Sequence, residues 1–176
     1  MTFDMPIESQ LGNEIVEQLN EVLGERATAT RRFMPLIERS ELEDLHVVVY
    51  LDSGDDTIVG RGIDTREISV GIAIQQAVPH AESDVQGNTI FDGVDNIEFS
   101  DSILALATEL RALWRPKSPL HAAGELRDKT IVGCVFRDLE QDHLYEPNHL
   151  LTKGVMSVVF TVMYSHAITA AKDDDE

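Results

Sequence analysis

The chain has one cysteine, Cys134, in 176 residues, so no internal disulfide can form. Its neighbourhood, Ile131 to Phe136, is small and apolar, which makes Cys134 a core residue rather than a nucleophile. Lysine is almost as scarce, found only at Lys117, Lys129, Lys153 and Lys172. Lysine and arginine together number 14 against 32 acidic residues, a formal charge of −18. A surface of that sign repels phosphate backbones, which argues against direct DNA or RNA binding as the main activity. The most apolar window, Val155 to Ala171, is interrupted by Thr161, Tyr164, Ser165, His166 and Thr169. It falls short of the about 20 apolar residues a membrane span needs and reads as a buried strand. The N-terminus has no basic stretch followed by an apolar one, so it is not a signal peptide. The expectation is a soluble protein.

The length fits one domain, and a chain of this size buries roughly 70% of its unfolded surface without needing staples. The 43% hydrophobic content agrees with a packed core. The acid is spread along the chain. Only Lys172 to Glu176 forms a true run, which divides the chain into a single domain over 1–171 and an acidic, disordered tail over 172–176. High acid with little lysine is the composition of proteins from a very salty cytoplasm, and also of merely acidic ones.

Glu67 to Val78 carries the clearest pattern. Ile68, Val70, Ile72, Ile74 and Val78 fall on one face, and Ser69, Gly71, Ala73 and Gln75 on the other. This period of two predicts a long strand with one apolar face. Its second face is small and polar rather than charged, a surface on which another chain could lie. Leu45 to Asp52 predicts a β-branched central strand, and Asp52 to Arg66 a long polar hairpin loop between the two. Ile7 to Leu23 has the i, i+4 spacing of an amphipathic helix ended by Gly24, and Val94 to Trp114 predicts a second helix roughly 30 Å long. Ala27 to Ile37, Thr130 to Glu140 and Gly154 to Tyr164 read as strands, and Pro79–Asp92 and Gln141–Leu150 as loops. The order α-β-β-β-α-β-β predicts an α+β fold: a mostly antiparallel five-stranded sheet with two long helices packed on one face.

No catalytic constellation emerges, and no cofactor or metal is implied. Gly60-Arg-Gly62 lacks the third glycine of a nucleotide loop and precedes a strand rather than a helix. Asp52 to Asp56 resembles the start of a calcium loop, but the sixth position is Thr57 and the twelfth Ile63. The six histidines form no i, i+4 pair. His143 and His149 flank one loop with Asp142 and Glu146, where solvated side chains are the simpler reading. No Gly-x-Ser-x-Gly turn occurs.

Three motifs in order carry a family resemblance. An N-terminal helix leads to a strand ending Arg31-Arg-Phe-Met-Pro35. A Val-rich strand and a polar loop lead into Arg66-Glu-Ile-Ser-Val-Gly-Ile-Ala-Ile74 and then a long helix. Tyr145-Glu-Pro-Asn-His-Leu150 precedes a final strand. Taken together these resemble the minor tail, tail-completion and tail-terminator proteins of tailed bacteriophages and archaeal viruses. Val155-Met-Ser157 keeps the serine that often starts that family's last strand, without its usual aromatic.

The resemblance implies a structural virion protein, not an enzyme. A terminator forms a ring, typically of six subunits, on the head-proximal end of the tail tube, after assembly in the host cytoplasm. Its partners would be its own copies, the tube protein and a neck or head–tail connector protein. DNA would only pass through an acidic lumen, with no membrane contact. A head–tail adaptor or stopper is the nearby alternative, and a small acidic ligand-binding domain or enzyme the distant one. The candidate interface residues are Arg61, Arg66, Glu67, Ser69, Gly71, Gln75, Tyr145 and His149. For Arg61 and Arg66 the alternative is local pairing with Asp64 and Glu67. For Tyr145 and His149 it is a purely intramolecular role.

Overall fold

The computed structural model of the chain describes residues 5–35, 39–58, 63–79, 82–83, 89–90, 95–121 and 131–169. The elements are α1 (Ile7–Leu23), β1 (Thr28–Arg31), β2 (His46–Ile58), β3 (Ile63–Ala77), β4 (Glu82–Ser83), β5 (Thr89–Ile90), α2 (Asp95–Arg111), β6 (Cys134–Glu140), α3 (Pro147–Lys153) and β7 (Val155–Thr169). Five strands form one sheet in the order β1-β2-β3-β7-β6, and β4 pairs with β5 in a separate short ribbon.

The spacing of α1 works as expected. Leu11, Ile15, Leu19 and Leu23 recur every four residues and are all buried. Gly24 ends the helix at φ 58°, a left-handed backbone angle that glycine adopts without a Cβ penalty, and its N–H donates to the Asn20 carbonyl. α2 buries Ile103, Leu106, Ala107 and Leu110, and runs into a 3-10 turn, Ala112–Trp114, that seats Trp114. Both helices share one core with a single face of the sheet, to which Val47 and Val49, Ile68 to Ile74 at every second residue, and Val158, Phe160, Val162 and Tyr164 contribute. Arg26 ties the two helices together across the outside through a bidentate pair to Glu109, with contacts of 2.7 and 2.8 Å.

At the heart of that core, Trp114 Nε1 donates to Tyr164 Oη at 2.7 Å, and Tyr164 Oη donates to the Leu120 carbonyl at 2.9 Å. Trp114 meets Phe160 edge-on, with centroids 5.7 Å apart. The buried polar tips are therefore satisfied, as a dry interior requires. Cys134 is buried in the same core, and burial pushes its thiol up to about 11, with the charge of Glu8 adding to the effect.

Two expectations are corrected. The sheet is mixed rather than mostly antiparallel, because β1 runs parallel to β2, with Thr28 opposite His46 and Arg31 opposite Val49. The chain between them, 32–45, has the length of a crossover, for which parallel pairing needs about a dozen residues or more. Its Leu42 is buried against the sheet face away from α1 and α2, and the Leu42 carbonyl accepts from Ala77 N at 2.7 Å. The described residues also hold three helices, not two. Within the expected Gln141–Leu150 loop, Pro147 opens α3, and Gly154 closes it in the left-handed conformation, donating to the carbonyls of His149 and Leu150.

The hairpin differs too. Asp52 to Ile58 is strand rather than loop, and pairs with β3 through Ile58 opposite Asp64. A register shift between Leu51 and Ser53 leaves Asp52 as the extra residue of a bulge, which lets the ladder continue past a change of side-chain parity. β3 is thus the central strand, and β7 pairs with it over its whole length, from Ile63–Thr169 to Ala77–Val155.

Candidate functional site

The second face of β3, expected as a surface for another chain, is largely covered by its own chain. Gly71 lies opposite Tyr50 in the ladder, with the phenol ring flat across it. A Cβ on Gly71 would stand 2.2 Å from Tyr50 Cζ, so glycine is what lets the ring lie on the sheet. Burial, and then the charges of Asp52 and Glu146, hold the Tyr50 hydroxyl above its ordinary value. Gln75 is fully buried, and its amide donates to Ser157 Oγ at 3.3 Å across the β3–β7 pair. Val48, Ala73 and Val155 close around Leu42 in a second small core. Of the candidate residues on this face, Glu67 is exposed, Ser69 half-buried, and Gly71 and Gln75 buried.

Arg66 has a partner far away in the sequence. It reaches over the helix-covered face to Glu8 of α1, with Nη2 2.8 Å from the carboxylate. Arg61 falls outside the described residues. Tyr145 is exposed just before α3, and His149 is half-buried within it. The seven described candidates therefore do not form one patch. Among the described residues, no group of three or more histidine, cysteine, aspartate or glutamate side chains is arranged to hold a metal ion. No described helix is long and apolar enough to cross a membrane, which leaves strand-built membrane structures unaddressed.

Met5 and Ile97 are exposed at the starts of α1 and α2, and the other exposed large apolar side chains among the described residues follow β1 and β6, the two edge strands of the sheet. After β1 the chain turns out in a spur, where Phe33 is 94% exposed and Met34 is also exposed. The spur has a firm base. Arg31 donates to the Ser9 carbonyl, Ser9 Oγ and Asn13 Oδ1 of α1, and Arg32 N donates to the Val49 carbonyl at 2.9 Å. Gly12 of α1 sits under the Arg31 side chain, where a Cβ would be 3.3 Å from its Cδ. The β1 edge itself is occupied, because the Asn20 side chain exchanges two hydrogen bonds with the backbone of Ala29, at 2.7 and 3.1 Å. Capping an edge strand in this way blocks strand addition and leaves side-chain contact as the means of docking there. A groove of about 500 Å³ opens beside the spur, lined by Asn13, Arg31, Arg32, Phe33 and Leu51.

The opposite edge has its own protrusion. β6 is followed by a turn in which Gln141 Nε2 donates to the carbonyls of His143 and Leu144, while Gln141 Oε1 accepts from Arg111 of α2. The turn is thereby held, and it presents Leu144, 68% exposed, and Tyr145. Glu146 N donates to the Ser157 carbonyl at 2.7 Å, so the turn runs on beside β7 into α3, where Leu151 is exposed. Glu140, Asp142 and His143 flank it, all exposed. Sequence reading singled out Tyr145 here but not Leu144. Phe33 and Met34 fall within the stretch read as a strand, Ala27 to Ile37, and exposure of an apolar residue leaves no periodic signal.

No protein-family model matches the chain, and no curated protein matches it in sequence.

Proposed function

We propose that this chain is a structural virion subunit, a tail terminator that assembles as a closed ring at the head-proximal end of a tail tube and joins the tail to the neck. One observation carries the reading: two different exposed apolar protrusions, Phe33–Met34 and Leu144–Tyr145, stand at opposite edges of one sheet. A two-fold dimer uses a single self-complementary patch, whereas a ring needs two unlike patches on each subunit. Both protrusions have side-chain hydrogen bonds at their bases, so little ordering entropy is lost on docking. The motif order Arg31–Pro35, Arg66–Ile74 and Tyr145–Leu150 supplies the link to tail terminators, and the charge of −18 suits a lumen through which DNA slides without adhering.

A head–tail adaptor would use the same paired edges, and the partner separates the two roles: tube protein for a terminator, portal or connector for an adaptor. The groove beside Arg31 and Arg32 gives an anion-binding domain its best foothold. Arg31, however, already directs its donors to Ser9 and Asn13.

Electron microscopy of the purified protein and of intact particles tests the proposal. A single ring at the tube–neck junction is the expected result. A monomer absent from particles would overturn it.

A further inference from the structure

The spur and the turn complement each other as well as standing apart, and from this we infer that each is the docking site of the other on a second copy of this chain. The inference rests on the ring-subunit reading and identifies its subunit contact. The spur combines a cation with apolar area: Arg32 beside Phe33 and Met34. Among the described residues Arg32 makes no ion pair, in a chain where acid outnumbers base by more than two to one. The turn combines anions with apolar area: Glu140 and Asp142 beside Leu144 and Tyr145, with neither carboxylate in an ion pair among the described residues.

The two cannot meet within one chain. Four inter-strand spacings separate β1 from β6, about 19 Å across the sheet. Their adjoining strand ends stand at one height, and beyond them the two segments run in opposite directions along the sheet, since β1 and β6 are antiparallel to one another and Glu146 N reaches Ser157, which lies opposite Gln75. Arg31 lies opposite Val49, which pairs with Ile72 of β3, whereas Glu140 lies opposite Thr161, which pairs with Gly71. Edge-to-edge placement of two copies therefore brings Arg32, at the base of one spur, level with Glu140, at the start of the next copy's turn. Each copy offers one donor edge and one acceptor edge, so the contact is head-to-tail and closes into a ring when the rotation between copies allows it. Phe33 and Met34 on one copy and Leu144 and Tyr145 on the next add apolar area to the contact. Arg32 facing Glu140 and Asp142 sets orientation and register, the role rim charges take in an interface.

Charge exchange tests the contact. The full-length protein, Arg32→Glu, the pair Glu140→Lys with Asp142→Lys, and the combined triple variant are compared by sedimentation velocity over a range of concentrations, with circular dichroism to confirm folding. The expected result is an oligomer for the parent, association weakened by about tenfold or more for each one-sided variant, and recovery in the combined variant, where opposite charges again face each other with their signs exchanged. Phe33→Ser, at a side chain that touches no core, is expected to dissociate the oligomer with no change in folding. An oligomer indifferent to all of these changes overturns the contact and leaves the ring reading standing. Loss on one side with no recovery in the combined variant overturns the pairing. A parent that stays monomeric at every concentration overturns the ring reading and the contact together.

Discussion

The two faces of β3 are filled in different ways. Towards α1 and α2, Ile68, Val70, Ile72 and Ile74 are buried by bulk, with Phe160 and Tyr164 beside them and two helices above. On the other face Gly71 and Ala73 are buried with almost no bulk of their own, under a tyrosine ring and a leucine from the β1–β2 crossover, and the buried amide of Gln75 is satisfied by Ser157 Oγ. The first face tolerates little loss of volume, and the second tolerates little gain. A strand whose polar face is small is therefore not necessarily waiting for a partner, since its smallness can be what lets a neighbouring side chain lie flat on it.

The largest effect is expected on the helix-covered face. Phe160→Ala removes a ring packed against Trp114 and leaves a cavity that two helices and a sheet cannot collapse into. A loss of about 3–5 kcal/mol is expected from urea denaturation. A loss below about 1 kcal/mol would mean that this face is loosely packed and that the contrast between the faces does not hold.

Gly71→Ala comes next and probes the second face. Its added Cβ collides with the Tyr50 ring, and overpacking of this kind costs about 1–3 kcal/mol. In a Tyr50→Ala background the same change is expected to reverse sign, because alanine loses less backbone freedom than glycine on entering a strand, by about 0.5–1 kcal/mol. If Gly71→Ala is neutral with Tyr50 intact, the tyrosine is not a lid and the face is open for another chain.

How much of this was legible follows from what leaves a local trace. The four-residue spacing of Leu11, Ile15, Leu19 and Leu23 and the alternation from Ile68 to Ile74 are one-face patterns, and both elements formed where the pattern lay. Strand direction leaves no such trace, so β1 pairing parallel to β2 was not readable from Ala27 to Ile37. Asp52 to Ile58 is rich in glycine and aspartate and reads as loop, yet it is held as strand by the ladder that β3 offers it, with the bulge at Asp52 absorbing the mismatch. Arg66 reaches Glu8, far away in the chain, a contact that proximity in sequence does not point to. The small face of β3 was visible, but Tyr50 as its cover was not, because cross-strand partners depend on register.

Alkaline pH should weaken both faces through their tyrosines. Burial raises the hydroxyls of Tyr164 on the helix side and Tyr50 on the other above the ordinary value of 10, and the folded state therefore holds these protons more tightly than the unfolded chain. The stability they contribute is fully present below pH 10 and is lost as pH rises through the folded values. The thiol of Cys134, raised from 9.0 to about 11, acts with the same sign and begins earlier. The urea midpoint is expected to fall steadily above pH 9, less steeply in Tyr50→Phe than in the parent. An unchanged slope in Tyr50→Phe would place that hydroxyl in solvent.

The smallest effect is expected at Glu67, which shares the second face with Gly71 but lies beyond the cover of Tyr50 and Leu42, with its side chain exposed. Glu67→Gln keeps the shape and removes one charge from a chain that carries 32 acidic residues. Surface changes of this kind move stability by no more than about 0.5 kcal/mol. The informative readout is therefore assembly. Where Gly71 and Gln75 are covered by their own chain, Glu67 and the half-buried Ser69 are the part of the face still available to a neighbour. A measurable change in sedimentation for Glu67→Gln, with the urea midpoint unmoved, would extend the interface from the sheet edges onto this end of β3. No change in either would confine docking to the spur and the turn, and would leave the stretch from Gly71 to Gln75 as interior covered by its own chain.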